Sequence, residues 1–535
     1  MPPHRSAIVR RPDNDTATVR SQLSCHRCRR LKRRCDRQYP CCALCDENRV
    51  ACDYPHKRKK RTWRRDRDVP DVVSPATSSR SSGGSPPSSS LLTFSSRSGE
   101  KNAHRQLSEL GELDLVAASC LDPDHFILTQ LETLKIDVGI TNPVANLVGS
   151  VGDIHATAES FFRTIHIWMP IVSKKQFHET LLERLAFRRP ETFLLVLAMK
   201  LCSSRAIVAR SMLYRTVKQF YFDVESSGRL SVQVLQAAVL IALYELGHGI
   251  YPAVIISVGN CARIGLLLGI DRYLITWVPG VPWIEHEERR RVWWMIIVLD
   301  RFMNLSHPKQ CLVTPDPDPE SYLPVDDGNW DSGLAKPDDA VKLRLSSQVH
   351  IGRFARFVHA TPLLSQAISR SDEDPHNTAQ LRRTILSLIN LGETEGETGR
   401  VLFCTLNAAC YIAVFVLDNA FSRLSTDYDS LSAEELISPE TVSALQHATK
   451  VLARRSLDAV TEDCTKLSPF LLHMLYKALM MCLSLQHRPH AELNFASTIN
   501  VLKHALERLG DRWLVAGTYL LLAKRKEVFS LIQPL

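Results

Sequence analysis

Six cysteines in the pattern Cys25-x2-Cys28-x6-Cys35-x6-Cys42-x2-Cys45-x6-Cys52 constrain this chain more than any other feature. A Cys-x2-Cys pair lets two thiolates from one tight turn reach the same tetrahedral ion, and zinc prefers such soft ligands in closed, four-coordinate structural sites. The spacing Cys-x2-Cys-x6-Cys occurs twice, which supports one ion within each half. Two tetrahedral ions need eight bonds and six thiolates supply six, so two of the sulfurs must be shared. Cys41 is a spare. It could stand in for Cys42, but the second pair would then be Cys-x3-Cys and the repeat would break. Three other readings compete. An iron–sulfur site usually draws on four cysteines, not two matched triplets. Independent redox cysteines would not need so many. A disulfide knot fits badly with the other eight cysteines, Cys120, Cys202, Cys261, Cys311, Cys404, Cys410, Cys464 and Cys482, scattered through apolar sequence. Those eight read as buried thiols of a reducing compartment.

The charge is as localised as the sulfur. Residues 1–70 hold 20 Lys and Arg against 8 Asp and Glu, whereas the remaining 465 residues hold 46 against 49. A short basic arm on a neutral body suggests contact with a polyanion, because Lys and Arg displace condensed counterions from phosphates. Between the second and third cysteines, five of six residues are cationic: Arg29, Arg30, Lys32, Arg33 and Arg34. A solvated face is the ordinary reading of a charge run. Here the run is pinned to a metal-fixed turn, which sets the geometry with which the charges meet a groove.

These residues resemble the fungal binuclear zinc-cluster family, whose pattern includes Cys-x2-Cys-Arg-x2-Lys-x-Lys/Arg-Cys-Asp. The match runs through Arg29, Lys32, Arg34 and Asp36, then Pro40-x-Cys42-x2-Cys45. The resemblance implies two zinc ions held by Cys25, Cys28, Cys35, Cys42, Cys45 and Cys52, with Cys25 and Cys42 shared. It also implies that Lys32, at the end of a first short helix, reads base edges of a CGG-type triplet, since guanine presents N7 and O6 acceptors in the major groove. Arg29, Arg30, Arg33 and Arg34 would then mostly hold phosphates, which positions the protein without specifying sequence. Cys41 departs from the commoner residues at its place.

The chain organises into a polar, disordered tail (1–21), the cysteine cluster (22–56), a basic run and Ser/Pro-rich linker (57–104), and a body (105–535). The run from His56 to Arg67 reads as a nuclear import signal, a phosphate-contacting arm, or a solvated linker. The Ser-, Pro- and Gly-rich residues 70–100 cannot bury enough surface to fold. Leu107, Leu110, Leu113, Leu128, Leu131 and Leu134 fall short of sustained heptads, broken by Gly111 and the Asp122-Pro123-Asp124 turn, so dimerisation through them is not supported.

Beyond residue 105 the apolar residues follow helical periodicity in Ala158–Ile171, Thr192–Met212, Ser231–Leu246, Pro252–Leu268, Glu285–Leu305, Val401–Leu417 and Pro469–Leu485. The Asp- and Pro-rich Thr314–Trp330 reads as an irregular loop, and the acidic Asp427–Glu440 as an exposed one. The expected fold is a small irregular zinc-stabilised N-terminal domain of two short helices, joined by a disordered linker to a large all-α domain.

A second resemblance, over about residues 145–335, is to the fungal transcription factor regulatory domain, or middle homology region. It rests on Phe161-Phe162-x5-Trp168-Met169-Pro170-Ile171, on Val234 to Gly247, on Ala262-Arg263 to Ile270, and on Glu287-Glu288-Arg289-Arg290-Arg291-Val292-Trp293-Trp294 with Leu299-Asp300-Arg301 and Leu323-Pro324. It implies a helical, regulatory, non-catalytic module. Trp293 and Trp294 read as core, Ile296 to Leu299 as facing neighbouring helices, and Arg290 and Asp300 as a buried or half-buried ion pair of structural role. No effector cavity is legible.

No Gly-rich phosphate loop, nucleophile elbow, His-Glu-x2-His or paired-carboxylate signature appears, which argues against an enzyme. No secretory signal or spanning stretch is expected. The two resemblances together imply a nuclear transcription factor acting on RNA polymerase II genes. Its expected cofactor is two zinc ions and its expected partner double-stranded DNA, with a second copy of the chain and co-regulators left open and no membrane. An activator of a metabolic or biosynthetic gene set is the family-level expectation. The rival is a zinc-stabilised interaction scaffold or co-regulator without selective DNA binding.

Overall fold

A computed structural model describes residues 24–53, apart from 32, 39, 49 and 51, and residues 138–532, apart from 187, 279, 307–310, 349–350, 370–374, 397–404, 418–438, 457–463 and 487–494. Lys32, the N-terminal tail, the basic run, the Ser/Pro linker and the leucines from 107 to 134 lie outside these residues, as do Cys120 and Cys404. The chain divides into two units, Met1–Ser96 and Arg97–Leu535. No β-strand forms among the described residues.

The first unit carries two five-residue helices, α1 (His26–Arg30) and α2 (Ala43–Glu47), each starting at a cysteine. Neither has an apolar face to bury. The buried residues are Cys25, Cys28, Cys42 and Cys45, so sulfur replaces hydrocarbon as the core.

The second unit is helical. It begins with α3 (Asn142–Val148), α4 (Val151–Arg163), α5 (Lys174–Ala186) and α6 (Pro190–Ser203). Then come α7 (Met212–Ser226), α8 (Val232–Gly247), α9 (Ala253–Leu267) and α10 (Trp283–Ser306). Short helices α11 (Asp327–Ser332), α12 (Arg353–His359) and α13 (Thr361–Ser369) follow. The rest are α14 (Pro375–Gly396), α15 (Thr405–Leu417), α16 (Pro439–Ser456), α17 (Pro469–Leu485), α18 (Phe495–Gly510) and α19 (Val515–Ile532).

Local chemistry sets the helix starts. Ser150 and Asp153 form a reciprocal capping box, with the Ser150 amide donating to Asp153 Oδ2 at 2.8 Å. The hydroxyls of Ser211 and Ser231 accept from the amides of Tyr214 and Val234, both at 3.3 Å, at the heads of α7 and α8. Of α8, only Gln233 escapes burial, as expected of a helix apolar on every side. It packs on α6, α7, α9, α10 and α17. One apolar core runs from Val144 to Ala523. Two glycines permit its closest approaches. A Cβ on Gly265 would lie 2.7 Å from the Trp293 ring, and one on Gly247 would penetrate the Trp513 ring.

Trp293 and Trp294 are buried on α10 with Ile296 to Leu299, as packing residues should be. Arg290 and Asp300 do not pair with each other. Ten residues of helix set them about 15 Å apart along the axis. Arg290 instead donates to Glu287 Oε2 at 2.7 Å, and Asp300 accepts from Arg301 at 3.1 Å and from the Thr314 amide at 2.8 Å. The fully buried Arg291 reaches Glu287, Asp327 and the Val325 carbonyl, with its guanidinium 4.1 Å above the Trp330 ring. Arg301 holds Asp316 and the Pro315 carbonyl. Two buried guanidiniums on α10 thus tie down the Asp- and Pro-rich loop.

Other boundaries also move. The stripe Thr192–Met212 is not one helix: α6 ends at Ser203, where Arg512 donates to the carbonyls of Cys202 and Ser204, and α7 begins only at Met212. The stripe Ala158–Ile171 stops being helical after Arg163. The loop expected over Thr314–Trp330 ends in helix α11, capped by Asp326 Oδ1 accepting from the Asn329 amide at 3.0 Å. Of the acidic stretch, only Pro439 and Glu440 are described, and they open α16. Cys202, Cys261, Cys410 and Cys482 are buried as expected, but Cys311 is exposed.

Candidate metal centre and nucleic-acid interface

Cys25 and Cys42 occupy matching positions 17 residues apart. Each is the residue before a short helix, in extended conformation at φ −61°, ψ 154° and φ −72°, ψ 149°. Both helices end on a residue at φ −87°, ψ 3°, Leu31 and Asn48. The backbone bonds repeat too. The amides of Arg29 and Asp46 donate to the Cys25 and Cys42 carbonyls, both at 3.0 Å. The amides of Arg33 and Val50 donate to the Cys28 and Cys45 carbonyls at 2.9 and 3.0 Å. The unit is one loop–helix–turn built twice.

The joints between the halves follow the same offset with different atoms. The His26 amide donates to the Asp53 carbonyl at 2.9 Å. The corresponding Ala43 amide donates to both carboxylate oxygens of Asp36 at 3.2 Å. Asp36 was legible as part of the family pattern. The Asp53 carbonyl carries no side-chain signal, and only the 17-residue offset points to it.

The sulfurs fall into two overlapping groups of four, Cys25, Cys28, Cys35 and Cys42, and Cys25, Cys42, Cys45 and Cys52. Within each group all sulfurs lie within 4.8 Å of one another. Cys25 and Cys42 belong to both. The Sγ···Sγ separations are 3.8 Å for Cys25–Cys42, 3.7 Å for Cys25–Cys45 and 3.7 Å for Cys28–Cys42. These are far too long for disulfides. Zinc–sulfur bonds of about 2.3 Å in a tetrahedron place sulfurs about 3.8 Å apart. The donor set therefore fits a thiophilic tetrahedral ion in each group. Cys41 is in neither; its thiol lies 3.7 Å from the Cys42 carbonyl.

Electrostatics says the same. Burial pushes the Cys25 thiol up to about 12 and the Cys42 thiol higher still, and it raises Cys28. Burial raises Cys35 as well, but hydrogen bonds from the Cys25 and Arg37 amides outweigh it and leave Cys35 below the usual range. So many thiols cannot be buried together as anions without a cation among them, and a bound divalent ion deprotonates a coordinating thiol.

Arg29, Arg30, Arg33 and Arg34 are all exposed on the first half, beside Arg27 and Arg37. The corresponding helix of the second half carries Asp46 and Glu47 instead. The repeat is thus symmetric in backbone and asymmetric in charge.

Comparison with known proteins agrees with this geometry. Residues 23–61 match the fungal Zn(2)-Cys(6) binuclear cluster domain, and residues 158–388 match the fungal specific transcription factor domain. Transcription factor BOA15 of Botryotinia fuckeliana is 34% identical over 152 residues, which is 28% of this chain and 85% of that protein. The chain belongs to the fungal binuclear zinc-cluster transcription factors. Membership of this zinc-cluster family brings zinc binding and DNA binding with it. The citrinin biosynthesis transcriptional activator mrl3 of Monascus ruber is 24% identical over 339 residues, covering 56% of this chain and 64% of that activator. The azaphilone cluster-specific transcription factor azaR of Aspergillus niger is 31% identical over 124 residues, 21% of this chain and 27% of that factor. No solved structure matches the chain. Among the described residues, no helix of this family member is long and apolar enough to cross a membrane.

Proposed function

We propose that the six thiolates hold two zinc ions, with Cys25 and Cys42 shared, Cys28 and Cys35 completing one site, and Cys45 and Cys52 the other. The two overlapping sulfur groups at tetrahedral-edge distances carry this reading. When bound, the ions cross-link the two halves where no apolar core exists. The chain's own residues then supply recognition. Lys32 lies just past α1 in sequence and reads a guanine-bearing CGG-type triplet in the major groove. Arg29, Arg30, Arg33 and Arg34, exposed around α1, hold phosphates.

The proposed domain limits are an N-terminal tail 1–21, the cluster 22–56, a basic and Ser/Pro linker 57–104, and a helical regulatory body 105–535. The protein acts in the nucleus on RNA polymerase II genes, without enzymatic chemistry, and activates a metabolic or biosynthetic gene set. The names of the citrinin and azaphilone regulators support that last point. A second copy of the chain and transcriptional co-regulators are its proposed protein partners.

Binding-site selection with the zinc-loaded full chain tests the reading. Enrichment of CGG-type triplets is expected, and their number and spacing report how many copies bind. Recovery of unselected sequence would leave a zinc-stabilised scaffold instead.

A further inference from the structure

The 17-residue repeat exposes one residue that chemistry makes unlike its counterpart. Cys41 precedes the shared Cys42, and the residue preceding the shared Cys25 is Ser24. Both are half-buried. A serine therefore fills this place in one half, and the other half holds a thiol that neither sulfur group uses.

That thiol has one neighbour of its kind at the edge of the cluster. The Cys42 amide donates to Cys52 Sγ at 3.3 Å, so the Cys52 sulfur sits against the peptide joining Cys41 to Cys42. Cys52 is half-buried, whereas Cys25, Cys28, Cys42 and Cys45 are fully buried. It also belongs to one sulfur group only. Unlike the buried Cys42 and Cys45 it is open to a small oxidant, and its loss opens a single site.

We propose that Cys41 and Cys52 form an oxidation-sensitive pair that opens the second metal site. The inference rests on the two-ion reading above. Hydrogen peroxide is the oxidant. The Cys52 thiolate attacks one peroxide oxygen, the O–O bond breaks, and hydroxide leaves, giving Cys52 sulfenic acid. The Cys41 sulfur then attacks the Cys52 sulfur; its proton and the sulfenic hydroxyl leave as water, and an S–S bond forms. Two electrons pass from the two sulfurs to peroxide, and a thiol reductant reverses the change. The second ion is left with Cys25, Cys42 and Cys45. The first half, with Ser24 in the equivalent place, has no such route.

The experiment uses the reduced, zinc-loaded full chain and its Cys41→Ser and Cys41→Ala variants. Zinc is counted before oxidant is added, then followed with a chelating dye during peroxide treatment, while alkylation and peptide mass spectrometry map the first disulfide. Two ions at the start, release of one, and a Cys41–Cys52 bond are expected in the parent, with release slowed at least about tenfold in both variants. Equal release rates in parent and variants, or a first disulfide between other cysteines, would overturn the inference. So would variants that bind fewer than two ions from the start, because Cys41 would then be a ligand. Fewer than two ions in the untreated parent would instead strike down the two-ion reading itself.

Discussion

Residues 25–35 and 42–52 share helix position, cap dihedrals and backbone hydrogen bonds, yet the first bears Arg29, Arg30, Arg33 and Arg34 where the second bears Asp46, Glu47, Val50 and Ala51. The likeness belongs to the sulfurs. Four-coordinate geometry dictates where each Cys-x2-Cys-x6-Cys segment must turn, and it is indifferent to the residues between. The unlikeness belongs to the partner. In the proposed function the cationic half meets the polyanion, because an acidic second half cannot lie against phosphates without repulsion. One backbone plan serves two purposes because the metal chemistry and the charge reside in different residues.

Substitutions at equivalent places test how far that holds. The largest effect is expected at the shared sulfurs. Cys25→Ser or Cys42→Ser should remove both ions and all DNA binding, whereas Cys35→Ser or Cys52→Ser should remove one. Structural zinc contributes on the order of 10–16 kcal/mol to such small domains, so the difference is large. Elemental analysis of the purified variants reads it directly. Equal loss at shared and unshared positions would break the two-site description.

Next comes base readout. Lys32→Ala should abolish preference for the triplet over a scrambled duplex, a loss of about 1–3 kcal/mol in discrimination. Arg49→Ala, 17 residues on, should leave discrimination intact. Competition binding with both oligonucleotides distinguishes them. Similar losses for the two would mean that both halves read bases.

A smaller and more uniform change is expected for Arg33→Ala. Binding to matched and scrambled duplexes should weaken alike, and the slope of log affinity against log salt should fall by about one. A salt titration measures this, and selective loss on the matched duplex would reassign Arg33 to base contact.

The smallest effect concerns the joints. The Asp36 carboxylate serves the Ala43 amide, whereas the Asp53 backbone serves His26. Asp36→Ala should therefore cost about 1 kcal/mol of cluster stability and Asp53→Ala almost none. Chelator competition for bound zinc reports the difference.

The cysteine spacing was legible because tetrahedral coordination leaves so few ways to satisfy it. The helices around Val232–Gly247 and Pro469–Leu485 were equally plain, since long apolar runs must be buried somewhere. What sequence did not reveal depends on distant partners. Nothing near Ser203 announces that Arg512 takes the carbonyls at the end of α6. Arg290 and Asp300 look like partners because they are opposite charges on one apolar helix. Their real partners are Glu287, one turn away, and Arg301 with Thr314 beyond the helix end. Cys311, in apolar company by sequence, is exposed because it leads into the irregular loop rather than a helix.

Gly247 on the central helix makes room for the Trp513 ring, and the neighbouring Leu514 amide meets His248 across 266 residues of chain. A ribosome adding about 5–20 residues per second needs roughly 10–50 s to supply that covering after α8 has emerged. Throughout that interval this apolar helix has one flank open. Newly made molecules of this regulator therefore keep that flank uncovered until translation reaches the tryptophan.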